Sequence, residues 1–111
     1  MTFDEPNKNC NLCPRLHKFL LKKRIEFPDY HNSPVPSFGD KTPKLLIIGL
    51  APGMHGANKT GRPFTGDWAG DLLFSALKKY GFTRGNYGGT IDDGLELIGA
   101  RITNAIRCVP P

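Results

Sequence analysis

The apolar residues of this chain cluster with two kinds of spacing, and each cluster predicts an element. Between Pro14 and Ile25, Leu16, Phe19 and Leu20 recur at helical spacing, while Arg15, Lys18, Lys22, Lys23 and Arg24 cover the opposite side. Pro14 suits the first helical position, where its missing N–H has no intrahelical partner to lose. Leu45–Ile48 is an uninterrupted apolar run, the pattern of a short strand buried on both faces of a parallel sheet. From Asp67 to Tyr80 the pattern is helical again. Leu73, Ala76, Leu77 and Tyr80 fall at i, i+3, i+4 and i+7, Ala69 lies one turn earlier, Thr65 or Asp67 can cap the start, and Gly81 ends the run. Ile102–Ile106 reads as a second buried strand.

The segments between these elements are rich in glycine and proline. Residues 26–43 hold four prolines and read as a connecting loop, and residues 82–94 read as a glycine-rich surface loop. Leu95–Ile98 is either extended or a turn. Most informative is the stretch from Gly49 to Gly70, which holds six glycines and the side chains of His55, Asn58, Lys59, Arg62, Phe64 and Asp67. A loop of this length in a compact domain is usually functional. It leaves the carboxyl end of a strand and enters the amino end of a helix, where open α/β folds bind ligands. Its glycines let backbone N–H groups approach a ligand with no Cβ in the way. The phosphate-loop spacing G-x4-G-K-[S/T] is missing, because Lys59-Thr60 follows Asn58.

Composition narrows the partners. A length of 111 residues fits one domain, and a net charge of +5 favours a polyanion. The polar lead-in over residues 1–9 and the short apolar runs predict neither a signal peptide nor a membrane span, and hence a cytoplasmic protein. In that compartment structural disulfides are uncommon, so the three cysteines need another role. Cys10 and Cys13 form a C-x2-C pair with no strand before it, which disfavours a thioredoxin-type redox pair and favours metal binding, with Cys108 as a distant third ligand.

The Gly49–Gly70 stretch resembles the first motif of the type-5 uracil-DNA glycosylases, the iron–sulfur branch of that superfamily. The likeness runs through Gly49-Leu50-Ala51-Pro52-Gly53, the segment Gly56–Asp67 and Gly70. Pro34–Asp40 and the tail Thr103–Pro111 resemble further family segments, as does Cys10-Asn11-Leu12-Cys13-Pro14-Arg15-Leu16. The resemblance implies a 4Fe–4S cluster held by Cys10, Cys13 and Cys108, with a fourth cysteine beyond residue 111. It implies an α/β fold, a three-layer α/β/α sandwich with a central parallel sheet, of which this chain is the incomplete amino-terminal half. A second catalytic motif would lie beyond Pro111.

It also implies a reaction. Hydrolysis of the N-glycosidic bond of deoxyuridine requires the base to leave the stack, and passes through a cationic sugar. By resemblance, Phe64 stacks on the base, Asn104 reads its edge and Asp67 is the catalytic carboxylate. Ala51 stands where related branches carry a polar catalytic residue. Gly49 and Gly53 shape the substrate loop, His55 meets a phosphate or the base, and Asn58 and Arg62 contact DNA. Trp68 departs from the smaller residue common in the family; it either packs on its helix or crowds the sugar. The expected partner is DNA carrying uracil or another deaminated base, met by a monomer. The alternative is a metal-stapled nucleic-acid-binding module without catalysis, which would need neither Asp67 nor the glycine-rich loop.

Overall fold

A computed structural model describes residues 4–111. In chain order the elements are α1 (Pro14–Glu26), β1 (Phe38–Gly39), β2 (Leu45–Gly49), α2 (Ala57–Thr60), α3 (Trp68–Lys79), β3 (Thr83–Arg84), β4 (Glu96–Leu97) and β5 (Ala100–Asn104). Both long helices and both principal strands lie where the apolar spacing puts them, within two residues at each end.

The sheet is mixed, which corrects the expectation of a parallel one. β5 lies between β1 and β2, parallel to β2 and antiparallel to β1. β1 arrives through the proline-rich stretch after α1, and antiparallel pairing needs no crossover helix. The short pair β3–β4 forms a separate two-stranded unit, so Leu95–Ile98 is extended in part and the glycine-rich loop is bracketed by strands.

β5 is the buried centre of the sheet, but β2 is not buried on both faces. Ile47 packs on the core, whereas Leu45 and Leu46 are exposed and Ile48 is 61% exposed. The reason is position. β2 pairs with one strand only and is covered from one side. The core itself is Phe74, Leu77, Leu95, Leu97 and Ile102, with Phe38, Phe64, Phe82 and Tyr87 packed around it.

The inward stripe of α3 also differs from the expected one. Gly70, Phe74 and Leu77 are buried and Leu73 is half-buried, while Ala69, Ala76 and Tyr80 face solvent. The spacing is the same but the register is one residue away, set by a contact of Gly70 described below. Trp68 is 78% exposed and does not pack on its helix. α1 likewise buries Leu20, with Leu16 and Phe19 at the edge of the contact.

Two clamps hold the amino-terminal lead-in. The Glu5 carboxylate accepts hydrogen bonds from the Ser37 N–H at 3.0 Å and from the Ser37 hydroxyl, and it pairs with Arg101 at 3.3 Å and Arg107 at 2.5 Å. Burial opposes the charge of Glu5, but the Ser37 and Arg107 hydrogen bonds outweigh it and hold the carboxyl below its usual pKa. Arg24 donates to the carbonyls of Asn32 and Lys8, each at 2.9 Å. It is therefore an internal strut, not part of the solvated basic face of α1.

Candidate functional site

In the parallel register of β2 and β5, Gly49 lies beside Asn104 at the carboxyl ends of both strands. A methyl group built on Gly49 would come within 2.5 Å of both Asn104 Oδ1 and Phe64 Cζ. Glycine is required there because an amide and an aromatic ring converge on the same space. Asn104 is 5% exposed, yet its side-chain amide makes no hydrogen bond with the described residues. An amide left without a partner among the described residues can pair with a ligand edge.

Phe64 reaches this point by an unusual backbone. Its φ is +54°, in the left-handed region, which costs a non-glycine residue about 1–3 kcal/mol and is found where surrounding contacts enforce it. The enforcing contacts are local. α2 ends at Gly61, itself left-handed at φ +85°. The Thr60 hydroxyl then donates to the Gly56 carbonyl at 3.1 Å and the Thr65 carbonyl at 3.0 Å. On the far side, the Phe64 carbonyl packs onto the Cα of Gly70, where a Cβ would meet it at 1.7 Å. That contact sets the register of α3.

Asp67 caps α3: one carboxylate oxygen accepts the Gly70 N–H at 3.0 Å. The other oxygen faces the glycine loop. A Cβ built on Gly56 would lie 2.5 Å from Asp67 Oδ2, and one on Gly53 3.5 Å from it. The cap thus uses one oxygen and leaves the other turned towards the glycine loop. Asp67 is solvent-exposed, Ala51 is half-buried and Gly53 is exposed along the same loop.

His55 is exposed at the loop tip, with Nδ1 2.9 Å from the Tyr30 hydroxyl and its ring edge-on to Phe27 and Tyr30. The turn after α1 thereby buttresses the loop. Two expected DNA contacts are corrected. Asn58 is fully buried and donates to Asn32 Oδ1 at 2.9 Å; it ties α2 to the segment after α1. Arg62 is 2% exposed and makes a two-pronged pair with Asp93 at 2.9 and 2.7 Å. Both face inward because the short helix α2 folds the loop back on the core.

Asp93 and Tyr87 were not singled out in the sequence. The Tyr87 hydroxyl accepts the Gly66 N–H at 3.1 Å, and its ring stacks on Phe74 with centroids 4.6 Å apart. The signal for Asp93 was faint: an Asp-Asp-Gly run in a basic chain, indistinguishable from an ordinary turn.

The three cysteines border one cavity. Cys10, Cys13 and Cys108 line this apolar space of about 380 Å³ with Leu12, Leu16 and Pro34. Burial, and then the neighbouring Cys10 and Cys13, push the Cys108 thiol up, as expected where thiolates would repel one another without a cation. Among the described residues no three such side chains are close enough to hold a metal ion as they stand. Donor type and apolar lining nevertheless fit a thiolate-held cluster.

Comparison with known proteins decides the family. Residues 36–111 match the model of the uracil DNA glycosylase superfamily. The chain belongs to that superfamily. It is 46% identical over 108 residues to a type-5 uracil-DNA glycosylase of Mycobacterium bovis, covering 92% of this chain and 40% of the relative. A type-5 uracil-DNA glycosylase of Thermus thermophilus is 43% identical over 107 residues, covering 92% of this chain and 48% of the relative. One from Pyrobaculum aerophilum is 42% identical over 107 residues, covering 93% of this chain and 47% of the relative. The chain thus spans less than half the length of these relatives. The match takes in β1, β2, β5 and the whole Gly49–Gly70 loop of this superfamily member, while the first two cysteines lie before the matched residues. No helix among the described residues is long and apolar enough to cross a membrane.

Proposed function

We propose that the protein is a DNA repair glycosylase of the type-5 branch, hydrolysing the N-glycosidic bond of uracil in DNA. The observation that carries this is the convergence of Phe64 and Asn104 over Gly49, beside a loop that meets the unengaged oxygen of Asp67. An extruded base placed against Gly49 would stack on the Phe64 ring, and Asn104 would pair with its polar edge. Asp67 would stabilise the positive sugar or orient the attacking water through Oδ2, while Oδ1 stays on the helix cap. Ala51 contributes no polar group. His55, held by Tyr30, is the side chain of the loop best exposed to a phosphate. The second oxygen of Asp67 favours an enzyme over a binding module, because capping needs only one.

Cys10, Cys13 and Cys108 would hold a 4Fe–4S cluster with a fourth cysteine beyond residue 111. Bound there, the cluster would act as a staple joining the start of α1 to the tail after β5. The chain is then the amino-terminal part of one three-layer domain, whose later strands would cover Leu46 and Ile48. The protein would act as a cytoplasmic monomer.

Two measurements test this. The full-length protein, purified without oxygen, is expected to be brown and to contain about four irons per chain; one zinc and no iron would refute the cluster. Phe64→Ala is expected to weaken binding to DNA carrying a non-cleavable uracil analogue by about 1–3 kcal/mol, the worth of one base–aromatic stack. Affinity for undamaged duplex, which rests on phosphate contacts, should hold. Equal losses on both DNAs would return Phe64 to a purely structural role, and failure of the unsubstituted protein to excise uracil would overturn the function.

A further inference from the structure

We propose that Arg62 and Asp93 are positioning residues: their buried ion pair locks the turn that presents Phe64 to the base. The assignment rests on the glycosylase function proposed above and assigns roles to residues outside the pocket. The pair is nearly sealed from solvent, with side chains 3% and 4% exposed. A buried ion pair is a poor way to add stability, since apolar residues of equal volume often serve as well. What it does supply here is direction.

Asp93 saturates its carboxylate. Besides the two Arg62 nitrogens, it accepts the N–H of Gly88 at 2.8 Å and of Leu95 at 3.0 Å. These bonds make the glycine-rich loop before β4 a fixed shelf. Arg62 transfers that rigidity across the chain. Its third nitrogen, Nε, donates to the Thr65 hydroxyl at 2.9 Å, and that hydroxyl donates to the Pro63 carbonyl at 3.0 Å. Residues 63 and 65, the two neighbours of Phe64, are thereby gripped by one side chain. The guanidinium is held in plane by rings, 4.8 Å from the Phe38 centroid and 5.6 Å from that of Phe74. Tyr87, on the same shelf, holds Gly66 from the other side. A phenylalanine at positive φ would relax towards an ordinary conformation without such a frame, and its ring would swing off Gly49. The Arg62 hydrogen bond outweighs the effect of burial and holds the Asp93 carboxyl far below the usual range, so the pair stays ionised at neutral pH.

The test is a double-mutant cycle in the full-length protein, reading single-turnover uracil excision per folded molecule and binding to undamaged duplex. Asp93→Asn is expected to slow excision about ten- to a hundredfold, the effect of misplacing a reacting partner by an ångström or so, with undamaged-duplex binding unchanged. In a Phe64→Ala background the same substitution should change the rate by less than about twofold, because the ring it positions is gone. Tyr87→Phe, which keeps the ring stack and removes only the partner of the Gly66 N–H, should show the same coupling at smaller size and serves if Asp93→Asn does not fold. Equal effects with and without Phe64 would overturn the positioning role. So would an unchanged rate in both single variants. No excision by the unsubstituted protein would instead overturn the glycosylase function, and this assignment with it.

Discussion

Asp67→Asn is expected to lower the single-turnover rate of uracil excision by about two to four orders of magnitude, while the melting temperature scarcely moves. The separation follows from the two oxygens. Oδ1 caps α3 through the Gly70 N–H, and asparagine caps a helix about as well as aspartate, so the stability change should stay under ~1 kcal/mol. Oδ2 faces Gly53 and Gly56 and is the end of the charged carboxylate that a cationic sugar or an attacking water would meet. The amide keeps the shape and removes that charge. Rate and melting curve must be measured on the same preparations. A variant that melts early but excises normally per folded molecule makes Asp67 a cap alone.

Gly70→Ala is expected to act in the opposite way, damaging stability and activity together. In an ordinary helix interior this change would stabilise by roughly 1 kcal/mol, because alanine is the better helix former. Here the added Cβ would meet the Phe64 carbonyl oxygen at 1.7 Å and its carbon at 2.7 Å, both backbone atoms with no rotamer to escape into. Either α3 lifts away from the turn or Phe64 leaves its left-handed conformation. Overpacking of this kind costs about 1–3 kcal/mol. Displacement of the stacking ring should lower the excision rate about a hundredfold. Ser75→Ala, at an exposed position of the same helix, is the control and should leave both unchanged. A Gly70→Ala variant that is more stable than the parent would show that the contact does not exist.

These effects turn on contacts that differ in how far they could be foreseen. Helical spacing located α1 and α3, and the apolar runs located β2 and β5, because those signals are local. The family resemblance pointed to Phe64 and Asp67 in the central loop and to Asn104 at the end of β5 as the expected chemical groups. The three cysteines, expected as ligands of one cluster, line one cavity although Cys13 and Cys108 lie far apart in the chain. Within the loop, however, Arg62 and Asn58 looked like surface contacts for DNA, since an arginine or asparagine among glycines is usually solvated. Each is buried against a partner distant in sequence: Arg62 pairs with Asp93, and the Asn58 amide nitrogen donates to Asn32.

The same limit explains the remaining differences. Apolar spacing shows that α3 has an inward stripe, but Gly70 against the Phe64 carbonyl decides which stripe it is. An apolar run shows that β2 is a strand, but its place at the sheet edge decides that Ile48 is exposed. Proline and glycine punctuation shows an extended stretch before β2, but pairing with β5 decides that it enters the sheet antiparallel. The sequence by itself determined the elements and the loop between β2 and α3, because these depend on neighbours along the chain. Only the tertiary structure decided which polar groups are spent on one another and which remain for a ligand. That division depends on partners brought together by folding, and a buried hydrogen-bonding group is satisfied by whatever the fold places beside it.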